Sequence, residues 1–300
     1  MRAAERGLLL LCSDLGDMRA HPISLGRFLA LRQAAMTAGV GDQDPTCRLS
    51  VSDLRKIGCS EQDAAHLVWL LEREDALERY LAAGAERGIF PVTRLSPQYP
   101  VQLIKTLGDR CPPVLFCAGD PSLFFHEGVS LVGSRDLAAP GRQFAETVGR
   151  LAAEENLALI SGGARGADSA AQHMALQAGG TALIYLAASL WKAAAVSLPE
   201  GLLLCSERSF TQDFTVLRAS ARNRLIHAMG QKVFVAQTAC SHGGTFTGTV
   251  ENLAHGWSPV FVHSDGSAGA RELCTRGAVP VALDELHSLR ALVPTQRSFW

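Results

Sequence analysis

The stretch from Val129 to Met174 constrains the fold more than any other part of this sequence of 300 residues. Twice in succession it runs from a short apolar segment through a glycine-containing turn into a helical pattern. The apolar segments are 129–132 and 157–160; the first turn is Gly133-Ser134-Arg135, and the second turn covers 161–166. This order is typical of strands and crossover helices in a doubly wound parallel sheet. We therefore predict an α/β fold with both turns at the carboxyl ends of strands, where such sheets bind ligands.

The residues of the two turns favour an anionic ligand. Glycine lets the backbone approach a ligand closely, and small side chains leave amide groups uncovered. Arg135 and Arg165 hold equivalent places in the turns, and a guanidinium binds phosphate through two parallel hydrogen bonds. A helix is predicted to begin near Ala167-Asp168, with its positive end facing the same crevice and Asp168 capping the helix and ordering Arg165. For one turn alone, tight turning and a solvated arginine are the simpler explanation; the matched pair favours a phosphate cradle.

The rest of the chain after Ile160 continues the predicted sheet. Four more apolar runs, 181–187, 201–207, 232–236 and 259–263, bring the predicted parallel sheet to six strands. Between them lies a segment with Arg218, Arg222 and Arg224, whose helical spacing places Arg218 and Arg222 near one another, beside Asn223. A glycine- and threonine-rich turn is predicted over 241–249, followed by a short helix over 250–254.

The segment before the sheet is predicted to be helical. Ser52 and Ser60 are candidate N-caps, and Gly84 is placed to end the last helix of this segment. The two short helices around 57–59 resemble a helix-hairpin-helix or SAM-like unit, a type that contacts nucleic-acid backbone in some proteins and serves only for packing in others. The predicted organisation is a helical SAM-like module (1–85), a proline-rich connector with strands at 88–93 and 112–117 (86–125), a Rossmann-like domain (126–285) and a loose tail ending in RSFW (286–300).

Composition excludes several classes of protein. Apolar residues make up 47% of the chain, enough for a core, and the net charge of −1 means that any nucleic-acid contact must come from a local patch. The eight cysteines form no CxxC pair and no cluster with zinc spacing, so we expect reduced thiols in a cytoplasmic protein. The apolar run 8–12 is too short for a signal peptide, and no run approaches the length of a membrane span.

An ordered set of motifs between Phe90 and Leu283 resembles the DNA-processing protein A family (DprA, also called Smf). The motifs are LSPQYPVQLIKTLGDRCPPVLFCAGDPSLF, SLVGSR, SGGARGADSAAQHMAL, SERS, ARNRLI and SHGGTFTGT. The resemblance implies an extended Rossmann-like domain that binds single-stranded DNA, a homodimer, and a role in loading the recombinase RecA during natural transformation. It equates the N-terminal helices with the family's SAM-like domain. For the chain as a whole we predict no cofactor, no metal, no membrane contact and no catalysis.

The residues expected to contact nucleic acid are glycines, small polar residues, Asp168 and arginines of the two turns, the arginine segment and the late glycine-rich turn. They are Gly133, Ser134, Arg135, Ser161, Gly162, Gly163, Arg165, Gly166, Asp168, Arg222, Asn223, Arg224, Gly243, Gly244, Thr245 and Thr247. Such contacts give salt-dependent binding with little sequence preference. Phe246 is the candidate for stacking on a base, and a packing role beneath the loop is an equal alternative.

The chain departs from the family pattern at four places. Gln172 stands where the family has histidine, and Ala219-Ser220 replace a phenylalanine–proline pair. The late turn GGTFTG replaces a Ser-Gly-Ser turn, and HSDG at 263–266 replaces a Pro-Gly turn. We therefore identify the chain as a divergent relative.

Two alternatives remain open. LOG-type nucleoside-monophosphate phosphoribohydrolases combine an arginine with a PGGxGTxxE turn, which Arg222 and GGTFTGTVE imitate without the proline and with Glu251 one position short. Glu251 would then be the carboxylate acting at the sugar, although a glutamate on a helix surface is the simpler explanation. A nucleotide sensor without catalysis is the second alternative. The sequence has no Walker motif or carboxylate cluster for Mg²⁺, which argues against an ATPase or nuclease.

Overall fold

A computed structural model describes residues 1–40 and 49–294, and a nine-stranded sheet forms its centre. The strands are β1 (Ile89–Thr93), β2 (Val114–Gly119), β3 (Gly128–Val132), β4 (Ala158–Ser161), β5 (Ala182–Leu186), β6 (Leu202–Glu207), β7 (Val233–Val235), β8 (Val260–His263) and β9 (Val279–Val281). Their spatial order is β1-β2-β6-β5-β4-β3-β7-β8-β9. β1–β2 and β2–β6 pair antiparallel, and every other neighbouring pair is parallel. The predicted α/β, mostly parallel, doubly wound fold is confirmed.

The central strands form because short continuous apolar runs can be buried on both faces of a parallel sheet. Every residue of β3, β4 and β7 is buried. The prediction of six strands is too low: the two connector strands join the sheet at one edge, and β9 adds a strand at the other. β9 was missed because it has only three residues and its central one, Pro280, has no amide to donate to a neighbouring strand.

Helices cover both faces of the sheet. The helices that come after β1 in the chain are α6 (Val101–Leu107), α7 (Ala139–Glu154), α8 (Ala167–Gln177), α9 (Leu190–Ala193), α10 (Val216–Met229), α11 (Gly244–His255) and α12 (Ala268–Thr275). Apolar residues of α7 and α8 pack on one face with Leu131 and Leu159, whereas those of α10 share the opposite core with Val132 and Ile160. α7 and α8 lie close because Gly149 has no side chain: a methyl there would overlap the Ala171 carbonyl.

The N-terminal segment is helical, as predicted. Its helices are α1 (Ala3–Cys12), α2 (Leu25–Ala38), α3 (Val51–Lys56), α4 (Glu61–Leu71) and α5 (Glu74–Ala85). Ser60 caps α4, but Ser50, not Ser52, caps α3, because its hydroxyl accepts the Asp53 amide and the Asp53 carboxylate accepts the Ser50 amide. Gly84 lies inside α5 rather than after it.

The core of these helices is continuous with that of the sheet. The apolar run near the start, Leu8 to Cys12, is buried on all sides of α1 and joins the same cluster as the residues of β2. The domain boundaries therefore stay a prediction, and the RSFW tail and Cys47 lie outside the described residues. Within the described residues, no helix is long and apolar enough to cross a membrane.

The sheet order reverses direction at β3. From β3 the chain proceeds to β4, β5 and β6 on one side, and then to β7, β8 and β9 on the other. Loops that leave β3 and β7 therefore diverge and leave a crevice between them at the carboxyl ends of the strands, which is where doubly wound folds bind ligands. The two glycine turns end at this edge, as predicted.

Candidate nucleic-acid interface

A crevice lies at the carboxyl ends of β3, β4, β5 and β7. It has two adjoining lobes. The first, of about 390 Å³, lies between the first turn and the N-terminal ends of α10 and α11. The second, of about 450 Å³, lies between the two turns and the end of β5. Arg135, Ala164, Phe214 and Arg222 line both lobes, so the lobes form one site.

The glycines of the turns are needed because the turns pack against one another. A methyl at Gly133 would overlap the Ala167 side chain, and one at Gly166 would overlap the carbonyl groups of Ser134 and Arg135. Gly166 also has a φ of +91°, a backbone conformation that side chains disfavour. The Ala167 amide donates to the Ser134 carbonyl at 3.1 Å. The second turn and the start of α8 thus pack against the first turn and hold its backbone in place.

Arg222 of α10 is buried beneath the second turn. Its Nη1 lies 3.9 Å from Oδ2 of Asp168, and a methyl at Gly162 would overlap the guanidinium. Burial lowers the pKa of Arg222, opposed by the Asp168 carboxylate, and burial raises the pKa of Asp168, opposed by Arg222. Nε and Nη1 of Arg222 are buried without a hydrogen-bond partner. A ligand in the crevice can therefore reach this side chain only through Nη2.

Asp168 does not have the predicted role. Its Oδ2 accepts the Ala164 amide at 3.2 Å and faces Arg222, whereas Arg165 pairs with Asp136 at 2.7 Å. The α8 N-cap, Gly166, has no side chain to accept a hydrogen bond. The second turn was expected to be open to phosphate. The Asp168 carboxylate instead already binds the Ala164 amide of this turn and faces Arg222.

Uncovered amides lie instead at the start of α11. The segment predicted as a turn over 241–249 is helical from Gly244, so the predicted helix 250–254 begins six residues earlier. In the described part of the chain no acceptor takes the amides of Gly244, Thr245 and Phe246, whereas the Thr247 amide bonds to the Gly243 carbonyl at 3.0 Å. The Thr245 hydroxyl donates to the Gly133 carbonyl at 2.9 Å and fixes this helix end against the first turn. The first lobe thus contains a helix N-terminus, which attracts anions.

The other two arginines of the turns are held differently. The Arg135 guanidinium carbon lies 5.2 Å from the centre of the Phe214 ring, within range of a cation–π interaction. Arg165 has 75% of its side chain exposed, and its partner Asp136 is 88% exposed. Arg135 and Arg165 are therefore both exposed, whereas Arg222 is buried.

Twelve of the sixteen residues expected to contact nucleic acid line the crevice: Gly133, Ser134, Arg135, Gly162, Gly163, Arg165, Asp168, Arg222, Asn223, Gly243, Gly244 and Thr245. The other four are engaged elsewhere. Ser161 is buried and donates to the Leu131 carbonyl at 2.8 Å, and Gly166 packs on the first turn. Arg224 donates to Glu207 at 2.9 Å, and the Thr247 hydroxyl donates to the Gly243 carbonyl at 3.0 Å.

Phe214 is the aromatic residue of the crevice, and sequence reasoning missed it. Phe246 is only 6% exposed, so its predicted stacking role is wrong and the packing alternative holds. Phe214 is 45% exposed between the lobes, and Val216 and Leu217 beside it are 76% and 80% exposed. We call these three residues the apolar lip. Its signal in the sequence was an aromatic residue in the polar loop TQDFT directly before the arginine helix.

The family model for DNA recombination-mediator protein A matches residues 91–289, which contain the whole crevice and all of the sheet except the first two residues of β1. The chain belongs to this family. The resemblance inferred from the ordered motifs is thereby confirmed. Among curated family members, the DNA processing protein DprA of Bacillus subtilis (strain 168) is 27% identical over 240 residues, covering 77% of this chain and 80% of that protein.

Solved structures of family members share the fold. DprA from Streptococcus pneumoniae superimposes with a TM-score of 0.69 at 23% identity, covering 95% of this chain and 97% of that one. DprA from Helicobacter pylori, described for its unique single-stranded DNA binding mode, has a TM-score of 0.54 at 22% identity and covers 66% of this chain and 92% of that one. The similarity to the S. pneumoniae structure includes the N-terminal helices as well as the sheet, because it extends over nearly the whole chain.

Proposed function

We propose that this chain binds single-stranded DNA along the two lobes of the crevice and breaks no bond in it. Membership in the family of DNA recombination mediators supports this proposal, as does the single-stranded DNA binding of the H. pylori structure. The observation that carries it is the convergence of Arg135, Arg165 and Arg222 with the amides of the α11 N-terminus on one crevice.

The crevice separates charged from apolar contacts. Guanidinium groups and helix amides face the lobes and suit the phosphates of the strand. The apolar lip, with Phe214 at its centre, suits the bases, because every base has a π-face and stacking on an aromatic ring tolerates any sequence. A single strand exposes both phosphates and base faces, whereas a duplex keeps its bases stacked on one another.

The hydrolase alternative has less support. Glu251 is exposed on α11 and does not line either lobe. Among the described residues that line the lobes, Asp168 is the carboxylate, and it faces buried Arg222 rather than a substrate. The described residues contain no group of three acidic, histidine or cysteine side chains placed to hold a metal ion. The nucleotide-sensor alternative uses the same anion contacts and is distinguished by experiment.

The test is fluorescence anisotropy of a labelled oligonucleotide over a salt series. We expect Arg135→Ala and Arg165→Ala to weaken binding and each to reduce the slope of log affinity against log salt by about 0.7, the value for one phosphate contact on a single strand. Arg150→Ala is the matched control, because Arg150 is an exposed arginine of α7 paired with Glu154. Equal effects of all three substitutions, or none, would contradict the site.

Two further measurements separate the alternatives. Nucleoside monophosphates that displace the oligonucleotide at micromolar concentration would favour the sensor. Free base released from nucleoside monophosphates by the wild-type chain, but not by Glu251→Gln, would favour the hydrolase.

The apolar lip is tested with 2-aminopurine placed in the strand. Stacking on Phe214 quenches the fluorescence of this base, and we expect Phe214→Ala to abolish the quenching with the salt slope unchanged.

The proposal includes RecA loading and a homodimer, as the resemblance implies. Sedimentation of the purified chain measures the oligomeric state. RecA filament assembly on DNA coated with single-strand binding protein measures loading, and a loading function requires that this chain accelerate it.

A further inference from the structure

A third cavity continues from the crevice along α8. It has a volume of about 600 Å³ and is lined by Gly163, Ser169, Gln172, His173, Leu176, Gln177 and Pro199. Gly163 also lines the second lobe, so the two cavities meet at the second turn. We call this third cavity the amide groove. Its volume falls within the range of natural small-molecule sites.

The amide groove differs chemically from the two lobes. Its lining contains no lysine, arginine, aspartate or glutamate, whereas arginines line both lobes. Ser169, His173 and Gln177 are spaced four residues apart on α8 and so form one row along the helix, with Gln172 and Leu176 in the adjacent row. The row from Ser169 to Gln177 is about 12 Å long at the rise of an α-helix.

Three of the four polar side chains that line this groove are free to bind a ligand. Gln172, His173 and Gln177 have no hydrogen-bond or ion-pair partner among the described residues. Ser169 is already engaged, because its hydroxyl donates to the Gly166 carbonyl at 3.1 Å. Gln172 is half-buried beside Leu176, and Gln177 is exposed at the end of the row. A primary amide offers a donor and an acceptor side by side, the pattern that matches the N6 amine and N7 of adenine.

We propose that the amide groove binds nucleobases of the strand held in the crevice, with a preference for adenine. The inference rests on the proposed binding of single-stranded DNA. Phosphates find no cation in this groove, so the part of the strand that enters it is recognised through the edges of its bases. The two lobes then supply affinity without sequence preference, and the amide groove adds discrimination between bases.

The experiment compares three strands of equal length and equal charge: oligo(dA), oligo(dT) and an abasic sugar-phosphate strand. We expect the wild-type chain to bind oligo(dA) about five-fold more tightly than oligo(dT), the lower end of what one amide–adenine pair contributes. The double variant Gln172→Ala/Gln177→Ala is expected to lose this preference while its affinity for the abasic strand and its salt slope stay unchanged. Gln143→Ala, which removes an exposed amide from α7, is the control and is expected to keep the preference.

Two results would overturn the inference. One is a wild-type chain that binds oligo(dA) and oligo(dT) equally; the other is a double variant that keeps the preference or weakens all three strands alike. Failure of the proposed function looks different, because the wild-type chain would then bind none of the three strands with a salt-dependent affinity.

Discussion

His227 makes the stability of this chain sensitive to mild acid. The imidazole lies on α10, fully buried, with neither nitrogen hydrogen-bonded. Burial and the nearby Arg222 cation lower the pKa of His227 from 6.5 to about 3. The folded chain therefore keeps this ring neutral in a range where the unfolded chain protonates it. The stability is therefore nearly complete at pH 7 and falls as the pH drops through 6.5 towards 3.

The size of the effect follows from proton linkage. In the unfolded state the pKa of His227 is 6.5, so at pH 5 protonation stabilises that state by RT ln(1 + 10^1.5), which is about 2 kcal/mol. Protonation stabilises the folded state by almost nothing at this pH. At pH 7 the same expression gives a loss of only about 0.2 kcal/mol in the free energy of unfolding. Between these two pH values the single histidine thus removes about 2 kcal/mol, a large part of the 5–15 kcal/mol that typically stabilises a domain.

The assay is urea denaturation at pH 7 and pH 5, compared between the wild-type chain and His227→Leu. Other groups titrate in both proteins, so the difference between the two losses isolates His227. We expect the variant to lose about 2 kcal/mol less than the wild type, and His126→Leu, which replaces an exposed histidine, to behave like the wild type. Equal losses in the wild type and His227→Leu would refute the argument, because the ring would then be reaching water or an acceptor.

Three further predictions concern the crevice. Asp168→Ala leaves Arg222 buried without its counter-charge and is expected to cost about 3–5 kcal/mol in urea denaturation, whereas Asp168→Asn, which keeps an acceptor for the Ala164 amide, costs less. Asp136→Asn frees exposed Arg165 and is expected to tighten oligonucleotide binding about two- to five-fold at low salt, a gain that vanishes in high salt because an exposed pair is screened. Gly162→Ala forces Arg222 out of its place and is expected to reduce both stability and binding, whereas Gly26→Ala, in the first turn of α2 with open space around it, leaves binding unchanged.

The sequence predicted those parts of the fold that depend on local patterns. The strands β3, β4 and β5 are continuous apolar runs because they are buried on both faces, and the turns after β3 and β4 contain glycine because they pack together. The start of α11 was missed for the opposite reason. Glycine and threonine are poor helix formers, and this helix begins at Gly244 because a tertiary contact, from Thr245 to Gly133, holds its first turn in place.

The interior of the site was not predictable, because it depends on pairs far apart in the chain. Arg222 and Asp168 are 54 positions apart, and nothing near either residue marks the other as its partner. Spacing alone assigned Asp168 to Arg165, three residues away, although the side chain of Arg165 points to Asp136. Arg224 was included with Arg222 because the two are close in sequence, but on a helix they diverge by about 200°, and Arg224 meets Glu207 instead.

The three arginines of the crevice are therefore not equivalent contacts. Arg222 is desolvated and fixed before any ligand arrives, so its remaining Nη2 costs little entropy to use, and its loss damages the second turn as well as binding. Arg165 is solvated and must leave Asp136, so its contribution is an exchange of one exposed anion for another and is screened by salt. Arg135, over Phe214, lies between these cases, because the ring that holds its guanidinium is also the surface proposed for a base. A strand that stacks on Phe214 competes for that ring and leaves Arg135 free to turn towards the adjacent phosphate. Phosphate binding and base stacking at this position should then be coupled, so a double-mutant cycle of Arg135→Ala and Phe214→Ala should show losses that do not add.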